Sequence, residues 1–549
     1  MRNSLLHNFS ESILFIFIMV VFYGCSQEHK DHKKCEESIL PSLYITVQPD
    51  QLESILVNKD IKVTAQALLV SADGDTLFDG DLKHIKTRGN STFAKDKKPF
   101  TIKFQKKQSL LGLDKSKSFV LLANAMDESH IRNAIAFDLA HLLGLPAPRY
   151  AYLSLYINGE YKGLYQMTNK VEVGKHTLNL VDLEKLNEGA NTHPLDEYTC
   201  FCYEKEPQSV QCKGMLLENS PEDISGGYLL ELHKSYNNKT VSGFESSNGE
   251  WINIRFPEHA SKEEVDYVRH FYDTMIEAMK PSSGKNMVEH IDVHSFTLYY
   301  LLQEVLQNVD GCVSSFYMYK DQGDSLLYAG PVWDFDLSIN NVCAYGNFFS
   351  PNELSVRRWP GELPPDADIL FNYMKHNPRF QECVVDAYLN TFSPVFHDYL
   401  ESGKIESLVS QICNEVERDE DLCHNRIDPS YEAALARVTT FLEQRIAFLD
   451  WYYQTDSTNM VCVMDVTDSN NPRYFYYPVG GTIALPEPYY VGGFYNHSPV
   501  ATWYYAGSDS VVKEGIPLYK NCSIELRLRE PTWVEVQIRR INKKLGWKE

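Results

Sequence analysis

The chain has 549 residues, more than one hydrophobic core ordinarily serves, so its length implies a large domain and at least one smaller one. Hydrophobic residues at 43% and aromatics at 12% give the composition of a well-packed globular protein. A net charge of −22 with no basic block to offset it argues against nucleic acid as a partner and describes a solvated acidic surface.

The first segment, "MRNSLLHNFSES", carries Arg2 and leads into the apolar run "ILFIFIMVVFYGC", which ends at Gly24-Cys25. That run is too short to span a membrane comfortably and suits the apolar region of a signal peptide. Gly-Cys directly after it resembles the lipobox of bacterial lipoproteins, in which the cysteine is lipidated and becomes the first mature residue. Phe22 and Tyr23 stand where small or aliphatic residues are the rule. The expectation is a signal peptide over 1–24, a polar tether over 25–39 and membrane attachment through lipidated Cys25, giving a periplasmic or cell-surface lipoprotein. A plain signal peptide or an uncleaved anchor is the alternative. Twelve cysteines in an exported chain permit disulfides. Cys200, Cys202 and Cys212 cluster in "EYTCFCYEKEPQSVQCKG", where the spacing suits a local disulfide or free thiols and lacks the pairs that zinc requires.

From Leu40 the pattern turns to strands: "SLYITV", "IKVTAQALLV", a turn at Asp73-Gly74, then "DLKHIKTRGN". In "KKPFTIKFQKK" Phe100, Ile102 and Phe104 alternate with Thr101 and Lys103, which predicts a half-buried strand with Lys103 on the face opposite the phenylalanines. "DESHIRNAIAFDLAHLLGLPAP" predicts a helix with Ile131, Ile135, Leu139 and Leu142 on one side, stopped by Gly144 and Pro146. "YAYLSLYINGEYKGLYQMT" reads as two strands joined at Asn158-Gly159, a strong hairpin signal. The second part reads as mainly helical, with amphipathic runs in "KEEVDYVRHFYDTMIEAMK" and "DVHSFTLYYLLQEVLQNVDG", a hairpin turning at Gln322-Gly323-Asp324, and a helical series to "FLEQRIAFLDWYY". The polar segment "QTDSTN" then predicts a linker to a separate β module rich in Tyr, Val, Gly and Pro.

Within the second part, "GPVWDFDLSINN" sets Asp334 and Asp336 at the end of a hydrophobic run. A carboxylate at the mouth of a buried strand is costly unless it is paired or holds a metal. Mg²⁺ takes oxygen ligands and often uses only one or two carboxylates, with phosphate oxygens and water completing the shell.

The stretches "IKTRGNSTFAKDKKPFTIKF", "FVLLANAMDESHIRNAIAFDLAHLLGLP", "YINGEYKGLYQMTNKVEVGK", "GGYLLEL", "QNVDGCVSSFYMYKD" and "GPVWDFDLS", in this order, closely resemble the CotH kinase family of spore-coat-type atypical protein kinases. The resemblance covers roughly residues 40 to 450. It implies an α+β fold: a two-lobed kinase-like domain over 40–453, with a β-rich first lobe and a mainly helical second one. It also implies binding of ATP and Mg²⁺ and phosphorylation of Ser/Thr on the chain itself or on a protein acceptor. The family's critical aspartates match Asp310 in "NVD" and Asp334 in "WDFD", the latter in the magnesium-binding role. Asp336 is a second candidate metal ligand. Lys103, on its strand face, and Arg88, beside Gly89, are candidates for phosphate contact, and Trp333 offers a ring on which a base could stack. Lys98 competes with Lys103. Against the family pattern, Asn169 stands where many members have Glu, His233 where they have Asp, and Ser315 where kinases often place a metal-binding Asn; Glu172 and Glu231 are nearby. These departures leave open a non-catalytic scaffold or adhesion lipoprotein. The module over 461–549 resembles one divergent Listeria–Bacteroides repeat, a small β-grasp-like surface unit.

Overall fold

The computed structural model describes residues 40–198, 202–203, 217–233, 241–311, 314–341, 350–354, 369–420, 428, 430–467, 473–485 and 500–529. Cys25 with the apolar run before it, Cys200, Cys212 and much of the proposed repeat lie outside the described residues. No helix among the described residues is long and apolar enough to cross a membrane.

The first part is a closed barrel. Strands β1 (Ser42–Thr46), β2 (Val63–Val70), β3 (Thr76–Thr87), β4 (Phe100–Gln108), β5 (Ser116–Leu122), β6 (Tyr150–Ile157) and β7 (Glu160–Asn169) run in the order β1-β2-β3-β4-β5-β7-β6. Parallel pairing of β6 with β1 closes the ring, so no edge is left to template another chain. Period-two alternation fills the interior: Phe100, Ile102 and Phe104 point in with Leu43, Ile85, Phe119 and Leu155, while Thr101 and Lys103 point out. The hairpin between β6 and β7 turns on Asn158 and Gly159, at φ of 52° and 82°, the left-handed pair that a tight two-residue loop requires. Helix α1 (Pro49–Val57) packs against the barrel through Ile55.

Helix α2 (Arg132–Leu142) lies between β5 and β6 in sequence and is enclosed rather than amphipathic. Arg132 and Asn133 are buried along with Ile135 and Leu139, whereas Leu142 is exposed. The expected apolar stripe is incomplete because protein covers the helix on more than one side and uses its first two polar residues as hydrogen-bond partners.

The second part is mainly helical and also contains a six-stranded sheet, of which the sequence announced only the hairpin at Gln322-Gly323-Asp324. After α3 (Leu183–Ala190) come β8 (Cys202–Tyr203), β9 (Tyr228–His233), β10 (Ser242–Glu245), β11 (Trp251–Phe256), α4 (Lys262–Met279), α5 (Val293–Val305), β12 (Phe316–Lys320) and β13 (Tyr328–Ala329). The sheet order is β13-β12-β9-β11-β10-β8. Its central strands, "YLLELH" and "WINIRF", are short and buried, so they lack the alternation that marks a half-exposed strand. One hydrophobic core joins α2, this sheet, α4, α5 and the later helices.

Helix α4 begins with a capping box: Ser261 accepts from the Glu264 amide at 3.2 Å, and the Glu264 carboxylate accepts from the Ser261 amide at 2.6 Å. Glu264 is fully buried, and burial pushes its carboxyl up to about 7 from 4.5. A raised carboxyl favours the folded state most below pH 4.5, and that contribution is lost as pH rises through about 7. Glu264→Gln, which cannot ionise, should therefore gain melting temperature over the wild type as pH is raised from below 4.5 to above 7. A pH-independent difference between the two proteins would remove this account.

The chain continues through β14 (Glu353–Leu354), α6 (Ile369–His376), α7 (Pro378–Ala387), a π turn over Tyr388–Phe392, α8 (Ser393–Glu401), α9 (Lys404–Glu420) and α10 (Tyr431–Gln454). Strands β15 (Met460–Asp465), β16 (Arg473–Pro478), β17 (Val500–Tyr505) and β18 (Cys522–Arg529) follow after a few residues. The last sheet has the order β14-β16-β15-β18-β17, so it takes in a strand from position 353, far upstream of the linker. Its core also includes Met126, Val309 and Leu337. The boundary expected at 461 is thus crossed by both a strand and a core.

Candidate active site

The loop Gly330–Asn341 is fixed from several sides. The Val332 amide donates to the Pro146 carbonyl at 2.8 Å, and the Phe335 amide donates to the Asn133 side chain at 2.8 Å. Asn308 Nδ2 reaches the Asp334 carbonyl at 3.2 Å, and Asn341 Nδ2 reaches the Met126 carbonyl at 2.6 Å. Phe335 is sealed in the core, so Asp334 and Asp336 on either side of it turn toward the half-buried surface. Asp334 sits at φ 69°, a left-handed conformation that aspartate tolerates better than most residues. It is held there by bonds from α2 and from the turn after α5.

Burial raises the Asp334 carboxyl, the Ser315 hydroxyl and Arg88 pull it back down, and Glu231 pushes it up. Ser315 Oγ donates to Asp334 Oδ2 at 2.9 Å. Asp336 lies well above the ordinary carboxylate range, first through burial and then through repulsion from Asp334, Asp310 and Asp127. The structure therefore brings Asp310, Asp334 and Asp336 into one field of mutual repulsion. A divalent cation would relieve it.

Positive charge stands opposite. Arg88 lies with its guanidinium 5.2 Å from the Trp333 ring centre, and no carboxylate among the described residues forms an ion pair with it. Burial lowers its pKa while Asp334, Tyr317 and Glu231 raise it and Arg255 lowers it, so these groups are its electrostatic neighbours. Arg255 approaches Glu231 at 3.6 Å, and Glu231 also accepts from Asn253 at 3.1 Å. Register explains the grouping: Asn253, Glu231 and Tyr317 are side by side on β11, β9 and β12. Just beyond β7, Lys170 is open to water, yet burial holds its pKa down; Glu172 and Glu258 oppose that effect and Arg255 and Arg88 add to it.

Lys103 lies apart from this group, and Trp333 belongs to it in another capacity than a stacking platform. Lys103 is on the outer barrel face opposite His84 and Ser118, and its charged neighbours are Lys83, Glu172, Lys117 and Lys62, with Asp334 not among them. Trp333 is buried to 7% exposure, stacks on Phe137 at 6.0 Å and carries Arg88 over its ring. Little of the ring is left for a base, so its part is to seat Arg88. Gly89, at φ 91°, has no room for a Cβ, which would clash with Thr92 Oγ1; local turn packing alone requires glycine there.

A model of the family described as CotH kinase protein matches residues 85–449, about two-thirds of the chain. The chain belongs to the CotH kinase family. No curated protein matches it. The CotH match takes in Arg88, Lys170, Glu231, Arg255, Asp310 and the whole WDFD loop, and stops short of the last β sheet apart from β14. In this CotH chain two of the departures have structural explanations. Asn169 bridges to the backbone of Asp114, accepting from its amide at 3.0 Å and donating to its carbonyl at 2.8 Å, and so ties β7 to the turn before β5. Ser315 takes the hydrogen-bonding position on Asp334.

Whether Mg²⁺ fits is a question of donors. Among the described residues no group of three or more His, Cys, Asp or Glu side chains is arranged to hold a metal alone. Mg²⁺ bound with phosphates does not need such a cage. Asp334 and Asp336 supply hard oxygens, and the buried Oδ1 of Asn308, beside Asp334, has no hydrogen-bond partner among the described residues. The donor set suits a metal-phosphate complex. Sequence reasoning missed Lys170 and Arg255, which are one lysine and one arginine among many until the fold assembles them, and it missed Asp127, Arg132 and Asn133. The last three had a signal: polar residues at the buried start of a helix.

Proposed function

We propose that this chain is a CotH-type protein kinase that binds ATP with Mg²⁺ and transfers phosphate to Ser/Thr of itself or of a protein acceptor. In this reading the barrel is one lobe and the second sheet with its helices is the other. The observation that carries the proposal is one charged neighbourhood in which Asp334, beside Ser315 and acting on Asp336 together with Asp310, faces Arg88, itself a neighbour of Lys170 and Arg255. Asp334, with Asp336, would hold Mg²⁺, which when bound neutralises phosphate charge. Arg88, Lys170 and Arg255 bind and orient the phosphates, Arg88 with its planar donor fork. Asp310 accepts the proton of the attacking hydroxyl. Labelled ATP with Mg²⁺ should put acid-stable label on the protein or on an added acceptor, and chelation should abolish it. Absence of label together with absence of any thermal stabilisation by ATP would overturn the reading.

The non-catalytic alternative has one specific observation behind it. Ser315 already occupies a hydrogen-bonding position on Asp334, the proposed metal ligand, and serine is a poorer metal ligand than asparagine.

The site of action is proposed to be beyond the inner membrane, with the chain anchored through Cys25. The Gly24-Cys25 signal supports this, as does the disulfide at Cys413, a bond of oxidising compartments. Labelled palmitate should enter the wild type and not Cys25→Ala; equal labelling of both would remove the anchor.

A further inference from the structure

We propose that the C-terminal β sheet is a working part of the kinase site, with Arg473 as a positioning residue that holds the Asn308–Asp310 turn and the loop after Trp333 in register. The inference rests on the kinase reading above for its functional meaning, and on contacts alone for its structural content.

A polar network joins the last sheet to the acidic loops. Arg473, on β16, makes a two-pronged pair with Glu353 on β14, at 2.9 and 3.2 Å, with both side chains buried. Asp465 on β15 lies 4.0 Å from the same guanidinium. The Glu353 carboxylate also accepts from the Ser350 amide at 2.9 Å, fixing the short segment that carries β14. The carbonyl of Glu353 accepts from Arg445 at 2.7 Å and from Gln307 at 3.3 Å, and Gln307 reaches the Ser350 carbonyl at 2.8 Å. Arg445 also bonds the carboxylate and carbonyl of Glu304 at the end of α5, at 2.5 and 2.8 Å. Gln307 is the residue before Asn308, and Asn308 holds the Asp334 backbone. Two side-chain links therefore separate Arg473 in the last sheet from the residue adjoining the "NVD" motif. The Ile339 amide closes the circuit by donating to the Leu306 carbonyl at 2.7 Å, which ties the two acidic loops to each other.

Apolar packing joins them as well. Val309, Leu337 and Met126 belong to the core of the last sheet, with Val463, Phe475, Trp503 and Ile524. Each of the three adjoins a polar residue of the site or its support: Val309 lies between Asn308 and Asp310, Leu337 follows Asp336, and Met126 precedes Asp127. In a loop, burying one side chain in a fixed core dictates where its neighbour can point. The sheet thus sets the direction of the carboxylates without contributing any group to the site. A displacement of about 1 Å in such groups is enough to cost on the order of 10²-fold in rate.

The test uses the full chain. In Arg473→Gln, amide hydrogen exchange at residues 307–311 and 334–341 should accelerate by about ten-fold or more, while β3 and β4 of the barrel exchange as in the wild type. Phosphate transfer should fall by at least about ten-fold in kcat, with a smaller change in KM for ATP. Ile45→Ala, a barrel-core control chosen for similar thermal destabilisation, should leave the loop amides and kcat within about two-fold. Because Arg473→Gln leaves Glu353 and Asp465 buried beside a weaker partner, the triple change Glu353→Gln/Asp465→Asn/Arg473→Met removes all three charges and serves as the second variant to measure. Loop exchange unchanged in these variants overturns the proposal. A wild type that binds no nucleotide overturns the kinase reading instead, and the exchange result still decides whether the sheet supports the loops.

Discussion

Asp334→Asn should abolish the thermal stabilisation that ATP with Mg²⁺ gives the wild type while leaving the unliganded protein folded. The substitution keeps shape and deletes one negative charge from a group that burial and Glu231 already push toward protonation, so the apo protein loses little. The liganded protein loses its principal hard-oxygen donor. A ligand that binds only the folded state stabilises it by about 2.7 kcal/mol at a concentration one hundred times Kd, so loss of binding is easily read. Asp310→Asn should separate the two roles. It should retain most of the ATP-induced shift and lose phosphate transfer by roughly 10² to 10⁴-fold, the usual range for a positioned acid or base. Equal loss of binding in both variants would mean that Asp310 is a metal ligand and not the group that takes the hydroxyl proton. A wild-type shift without transfer would direct attention to Ser315. That residue sits at φ 58°, where asparagine is more at ease than serine, so Ser315→Asn is the change expected to restore a ligand without straining the backbone.

The parts of this architecture that were legible in the sequence are those set by neighbours along the chain. Alternation of Phe100, Ile102 and Phe104 identified β4 and its inward face, and Asn158-Gly159 identified the hairpin of β6 and β7. Closure of the barrel was not legible, because it rests on Ser42 pairing with Ser154 and its neighbours in parallel, across more than a hundred residues. The hairpin of β12 and β13 was legible, but the central strands of the second sheet were hidden for a different reason. A strand buried on both faces has no polar side to alternate, so "YLLELH" carries little more than hydrophobicity.

The site divides along the same line. Asp334 and Asp336 drew attention because a carboxylate beside an apolar run is costly and thus informative, whereas Asp310 was named through the resemblance of "NVD" to the family motif. Lys103 was the natural candidate on strand position alone, but a strand face is shared by many residues. The pleat sends Lys103 to a lysine-rich patch, whereas Lys170, past the end of β7, reaches Arg88 and Arg255. The charges are assembled from the residues just past β3 and β7 and from β9 and β11, and no spacing in the sequence encodes that convergence. The crossing of the C-terminal boundary belongs to this class as well. A two-residue strand at Glu353–Leu354 is too short to announce itself, yet it carries the carboxylate on which Arg473 closes.

Arg132→Met should destabilise the protein by about 3 kcal/mol or more, a large share of the 5 to 15 kcal/mol that ordinarily separates folded from unfolded chains. Arg132 and its partner Asp127 are both buried, and the guanidinium meets the carboxylate directly. Its Nε donates to the Ser338 carbonyl at 2.9 Å, and Nη2 donates to the Ile339 carbonyl at 3.3 Å, just beyond the WDFD residues. Removing the side chain strands a buried anion and leaves those carbonyls without their donor. Asp127 keeps other bonds, from the amides of Ser129 and of residue 132, both at 3.0 Å, so the loss should fall at the lower end of the range for broken buried pairs. Asp127→Asn in the same chain should recover part of the stability, because the charge that was costly to strand is gone; the recovery measures the coupling between the two residues. Urea denaturation of the two single variants and the double variant gives these values. A loss below about 1 kcal/mol in Arg132→Met would show that the pair is replaceable. A full loss with no recovery in the double variant would place the energy in the carbonyl bonds to Ser338 and Ile339, and so in the attachment of the WDFD loop to α2 rather than in the ion pair.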